Sequence, residues 1–120
     1  MNSEGFRGLR VWQKGIELAV SIYQITNSGV FSKDYTLRNQ IRGAAVSIPS
    51  NIAEGDELDT DKQAVKHFYI SKGSCAEVLT QAIIAQKIGY LDVTEFKELE
   101  CRCIELSKML AKLIAARSKP

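Results

Sequence analysis

Histidine is nearly missing from this chain: the only one is His67. A metal-carrying helical bundle of the di-iron kind needs a Glu-x-x-His motif on each of two helices. Here Ala64 stands three residues before the lone histidine, which excludes that version of the fold. Any Ser-His-Asp or Cys-His arrangement would also have to use His67. It sits in the basic stretch from Lys62 to Lys66 and beside Phe68, where a solvated or packed imidazole is the plainer account. Cysteine is sparse and odd in number: Cys75, Cys101 and Cys103. That is no disulfide framework. Cys101 and Cys103 are two apart and so diverge on a helix; buried or half-buried thiols in a reducing compartment are expected.

Other absences narrow the class further. Two prolines and eight glycines in 120 residues do not make a linker-rich or disordered chain. Neither a G-x-G-x-x-G fingerprint nor a phosphate-binding P-loop occurs, and no strand-like alternation competes with the helical pattern. No stretch approaches the roughly 18 consecutive apolar residues of a membrane span. The opening run from Met1 to Trp12 lacks the charged-then-apolar layout of a signal peptide. A cytoplasmic protein with no membrane partner, cofactor, metal or evident small-molecule substrate is expected. Without a grouped nucleophile, base and metal set, an enzyme is not expected.

What the chain does contain is helical periodicity over a length that suits one domain. A first helix is predicted from about Leu9 to Thr26, with Trp12, Ile16, Ala19, Val20 and Tyr23 as its apolar face and Asn27, Ser28 and Gly29 as its stop. A second runs from Asp34 to about Glu54 on Leu37, Ile41, Ala44, Ala45, Ile48 and Ile52, kinked near Pro49 and ended by Gly55. A third, Asp61 to about Ile88, starts at a Thr60–Gln63 capping box and buries Phe68, Cys75, Leu79, Ala82 and Ile83. A fourth, about Glu95 to Ala116, is capped by Asp92 or Thr94. Its Leu99, Cys103, Leu106, Leu110 and Leu113 form a heptad seam. Short connections make neighbours antiparallel, so the fold class is all-α, an up-down-up-down four-helix bundle spanning residues 1–120. About six N-terminal and four C-terminal residues are expected to be flexible. Gly43 and Gly73 fall inside helices, and close helix–helix approach would account for them.

Two features go beyond core building. Gln40, Gly43, Ser47, Ser50, Asn51 and Glu54 share one polar stripe of the second helix. Such a stripe is either a hydrogen-bonded packing seam, with partners such as Ser71 or Ser74, or a ligand surface. The second feature is like-charge spacing. Arg10/Lys14, Arg38/Arg42, Lys62/Lys66 and Lys108/Lys112 are four i,i+4 basic pairs, where chance placement gives about two. Each pair repels on an isolated helix, and a polyanion would relieve that repulsion. These eight residues are the candidate nucleic-acid contacts, against the plainer account of solvated faces.

The run QIRGAAVSIPSNIAEG, Gln40 to Gly55, resembles the signature of the bacterial 23S rRNA intervening-sequence proteins. LRVWQK from Leu9, FYISKGS from Phe68 and IGYL from Ile88 are similar to further motifs of that family, so the likeness spans about residues 6 to 115. The resemblance implies a small four-helix bundle that assembles as a homopentamer. Members include proteins encoded in rRNA intervening sequences and the accessory protein of diversity-generating retroelements, a basic pentamer that binds nucleic acid and a reverse transcriptase. Most have no assigned activity. The family often carries two adjacent arginines where this chain has Arg42 and Gly43, so Arg38 and Arg42 carry over as candidate contacts and position 43 does not.

The expectation is therefore a non-catalytic homo-oligomeric module that binds RNA, DNA or a nucleoprotein such as a reverse transcriptase. The alternative is a structural or protein-interaction scaffold with no nucleic acid. A ring needs two different patches on each subunit. The acidic second-to-third turn (Glu54 to Asp61) against basic termini, and an outer strip of Val46, Pro49 and Ala53, are the candidates.

Overall fold

The computed structural model describes residues 5–119. Four helices carry it: α1 (Arg10–Ile25), α2 (Tyr35–Glu57), α3 (Asp61–Lys87) and α4 (Val93–Arg117), with short 3-10 turns at Gly5–Gly8 and Phe31–Lys33. The expected loose ends fall partly on residues 1–4 and 120, outside the described residues. Of the rest, Phe6 packs on Trp12 and Arg117 is held by two aspartates.

The helix starts follow from their caps. Asp34 accepts from the Leu37 amide at 3.1 Å to open α2, and Thr60 accepts from the Gln63 amide at 3.2 Å to open α3. The full reciprocal capping box is at α4, where Asp92 and Glu95 each accept from the other's backbone. The Gln63 side chain meets the Thr60 hydroxyl instead. Gly29 and Gly89 take positive φ after α1 and α3, a conformation glycine adopts without steric cost.

Cross-helix contacts fix the direction of every neighbour. Ser47 meets Ser74 and Asn51 meets His67 across α2 and α3. Gly15 packs on Ile48 and Pro49, while Arg42 reaches Thr26, across α1 and α2. Lys14 pairs with Glu105 and Glu17 with Arg102 across α1 and α4. In each case rising numbers on one helix meet falling numbers on the other, so the bundle is antiparallel. It measures 47 × 22 × 22 Å. The α1 start, the α2–α3 turn and the α4 end share one pole; the α1–α2 connection and the α3–α4 turn share the other.

The core runs the length of the bundle through Leu18, Ile22, Ile41, Ile48, Ile52, Phe68, Val78, Leu99, Leu106 and Leu110. Several expectations change. In α1 the buried face is Val11, Gly15, Leu18 and Ile22; Trp12 and Ala19 are half-buried, and Ile16, Val20 and Tyr23 are exposed. Both stripes obey helical spacing. Gly15 lies on the buried one, with its backbone against Ile48 and Pro49 of α2. In α3, Ile83 is exposed, and in α4 the seam ends on Ile114 with Leu113 only half-buried. Helix α2 runs unbroken through Pro49 and past Gly55.

The glycines also differ from expectation. A Cβ at Gly43 or Gly73 would touch nothing within 4 Å, so neither marks a close approach within the chain. Gly15 and Gly55 do. A Cβ at Gly55 would stand 2.9 Å from Phe68 Cε1 and 3.0 Å from the Ala64 carbonyl.

Candidate nucleic-acid interface

The polar stripe of α2 resolves into two parts. Towards the α2–α3 turn it is a hydrogen-bonded seam. Asn51 Nδ2 donates to the Ser47 carbonyl at 2.9 Å and to Ser47 Oγ at 3.0 Å; Ser74 Oγ donates to Ser47 Oγ at 3.0 Å. Asn51 Oδ1 lies 3.1 Å from His67 Nδ1, which is 3.8 Å from Glu54. Ser71 Oγ donates to the Ile48 carbonyl at 2.9 Å. The hydrogen-bond partner of His67 is thus an amide and not a hydroxyl. Towards the other pole the stripe opens into a polar cleft of about 570 Å³, lined by Gln40, Gly43, Ser47, Ser74 and Glu77 among others.

Cys75 and Cys103 are buried and unbonded, and Cys101 is exposed. Burial pushes both buried thiols up to about 12, with Lys72 opposing at Cys75 and Cys75 reinforcing at Cys103. Burial thus favours the thiol form of both at neutral pH. Among the described residues no group of three or more metal-ligating side chains occurs, and no helix is long and apolar enough to cross a membrane.

The eight candidate cations do not form one patch. Arg10, Lys14, Lys62, Lys66, Lys108 and Lys112 belong to the half of the bundle that holds the α2–α3 turn. Within it Arg10 and Lys14 are on α1, diagonal to Lys62 and Lys66 on α3, with Lys108 and Lys112 on α4 between them. Lys14 is engaged with Glu105 at 3.4 Å. Among the described residues the other seven make no ion pair, unlike Arg102, which meets Glu17 and Glu98. The expected meeting of acidic turn and basic end is found inside the chain: Arg117 binds Asp56 at 2.8 Å and Asp61 at 3.3 Å. That charge is therefore not free for a neighbour.

Arg38 and Arg42 lie at the opposite pole and differ from the lysines in being held. Arg38 donates to the Ser32 carbonyl at 2.9 Å and to Asn39 Oδ1 at 3.3 Å, with its guanidinium 4.6 Å above the Tyr35 ring. Arg42 donates to Thr26 Oγ1 at 2.7 Å and lies 4.5 Å above the Tyr23 ring. Thr26 is fully buried and donates in turn to the Ile22 carbonyl. Sequence reasoning placed both arginines outward and Tyr23 in the core. The i,i+3 spacing of Tyr35 and Arg38 is a signal that could have shown one stack. Nothing local marks the other, which joins residues on two helices.

A bundle of four antiparallel helices with cations on its outer faces is the class these features define. Residues 7–112 match the family described as 23S rRNA-intervening sequence protein, and the chain belongs to it. Among solved structures it is similar to a protein of unknown function from the S23 ribosomal protein family of Bacteroides thetaiotaomicron. The TM-score is 0.79 at 21% identity, covering 87% of this chain and 97% of that one. That likeness bears on the fold alone. No curated protein matches significantly.

Proposed function

We propose that the protein is a non-catalytic, cytoplasmic, oligomeric module that binds nucleic acid, or a nucleoprotein partner, through the basic outer faces of its bundle. The observation that carries this is the set of unpaired cations: among the described residues Arg10, Arg38, Arg42, Lys62, Lys66, Lys108 and Lys112 have no acidic partner. These seven stand apart from the cations that are paired, Lys14, Lys97, Arg102 and Arg117, and the net charge is only +2.

Assembly makes the modest charge effective, because several copies multiply weak contacts. The partner in assembly is a second copy of this chain, in the ring of five that the family resemblance implies. Ile16, Val20 and Val46 are exposed along the α1–α2 face. Tyr69, Ile83 and Ile104 are exposed along the opposite α3–α4 face, beside a groove lined by Ala76, Leu79 and Ile104. Two unlike apolar faces on opposite sides suit a head-to-tail ring. Pro49 drops out of the expected strip because it is buried against Gly15.

The test is a titration of labelled RNA and DNA at about 50 and 200 mM salt, where counterion release makes binding fall steeply as salt rises. Replacing Lys62, Lys66, Lys108 and Lys112 by Ala should weaken binding about equally for unrelated sequences and flatten the salt slope. No binding at low salt would sink the nucleic-acid reading and leave a scaffold.

A further inference from the structure

Tyr23 and Tyr35 are 45% and 64% exposed, so both rings present apolar surface to solvent. Each carries an arginine guanidinium over its face, at 4.5 Å and 4.6 Å. The arginines are pre-positioned by fixed oxygens: Thr26 Oγ1 holds Arg42, and the Ser32 carbonyl with Asn39 Oδ1 holds Arg38. Nε of Arg42 is used, but its terminal nitrogens make no hydrogen bond within the described chain, and Arg38 keeps Nη2 free. Two aromatic–cation pairs, whose arginines are one helical turn apart on α2, therefore stand at the pole away from the α2–α3 turn.

A phosphate surface alone needs only cations. The lysine pairs at the other pole have that composition, with no ring stacked under them. Flat, exposed rings add something a duplex cannot use, since its base faces are already stacked on one another. An unpaired strand offers both partners at once, bases for the rings and phosphates for the guanidinium edges. Resting on the nucleic-acid reading above, we propose that this end of α2 is a platform for unpaired nucleic acid: bases stack on Tyr23 and Tyr35, and adjacent phosphates meet Arg38 and Arg42.

The experiment compares fluorescence anisotropy of a labelled single-stranded oligonucleotide and the matching duplex. Wild type is set beside Tyr23→Leu/Tyr35→Leu, Tyr35→Leu alone and Tyr23→Phe/Tyr35→Phe, each checked by thermal melting. Tyr35→Leu guards the result, because this ring is the more exposed of the two and carries Arg38. The expected outcome is tighter binding of the single strand. The double Leu variant should lose about tenfold or more of that affinity. The Phe variant, which keeps the rings, should retain the single-strand preference that the Leu variants lose, and the Leu variants should lose far less affinity for the duplex than for the single strand. Equal affinity for both forms, with the Leu variants indistinguishable from wild type, would overturn the platform and leave the cationic faces as the binding surface. Binding of neither form would overturn both proposals.

Discussion

Gly55 and Gly43 sit in the same helix and should respond in opposite ways to the same added methyl. At Gly55 a Cβ would collide with Phe68 and the Ala64 carbonyl, in a wall made of backbone and a fully buried ring. Overpacking of that kind costs about 1–3 kcal/mol, more than alanine recovers in helix propensity. At Gly43 the space is open, so alanine should stabilise by about 0.5–1 kcal/mol. Urea unfolding of Gly55→Ala and Gly43→Ala decides it; shifts of the same sign would show that the packing around Gly55 is wrongly described. The sequence alone cannot separate the two residues, because whether a helical glycine faces a neighbour depends on which face is buried. That is also why close approach was expected at Gly43 and Gly73 and is found at Gly15 and Gly55.

Among the elements, α2 shows why an exposed-looking arginine can matter to stability. Arg38 rests on an exposed ring and a loop carbonyl, so Arg38→Ala should change stability by no more than ~0.5 kcal/mol. Arg42 reaches the buried Thr26 hydroxyl and ties α2 to the end of α1. Arg42→Ala should cost about 1 kcal/mol, the worth of one such hydrogen bond. Chemical denaturation of the two single variants tests this, and equal midpoints would mean the Thr26 contact carries no energy. Helix number, order and most ends were legible from caps and from the spacing of Ile41, Ala44, Ala45, Ile48 and Ile52, all of them buried. Helix α1 was legible as a helix but not in its rotation. Its apolar residues cover more than half the circumference, and only the partner helix selects the inner stripe. The Arg42–Tyr23 stack was illegible for the same reason. Arg38 and Arg42 were readable as candidates from spacing, whereas what holds them was not.

At the scale of the whole molecule, the exposed stripe of α1 that is left over from the core becomes informative. Ile16 and Val20 of α1 and Val46 of α2 are exposed, and exposed aliphatic side chains that gather on one face are a common basis of association. Light scattering at tens of micromolar, roughly, should give a mass well above the 13.3 kDa of one chain. Ile16→Asp/Val20→Asp should reduce it to that of the monomer while leaving the circular-dichroism spectrum helical. A monomeric wild type would remove the ring.

The start of α1 and the end of α4 lie together beside the α2–α3 turn: Gly5 stands near Glu57, and Arg117 grips Asp56 and Asp61. In any assembly built by rotation about one axis, all copies share one orientation. Where the bundle axes also run along that axis, every such pole falls on one rim and every Arg38–Arg42 pair on the opposite rim. A fluorophore or affinity handle joined beyond either of these ends would decorate a single rim. Immobilised through it, the assembly would present its arginine–tyrosine rim to solution as a uniformly oriented layer.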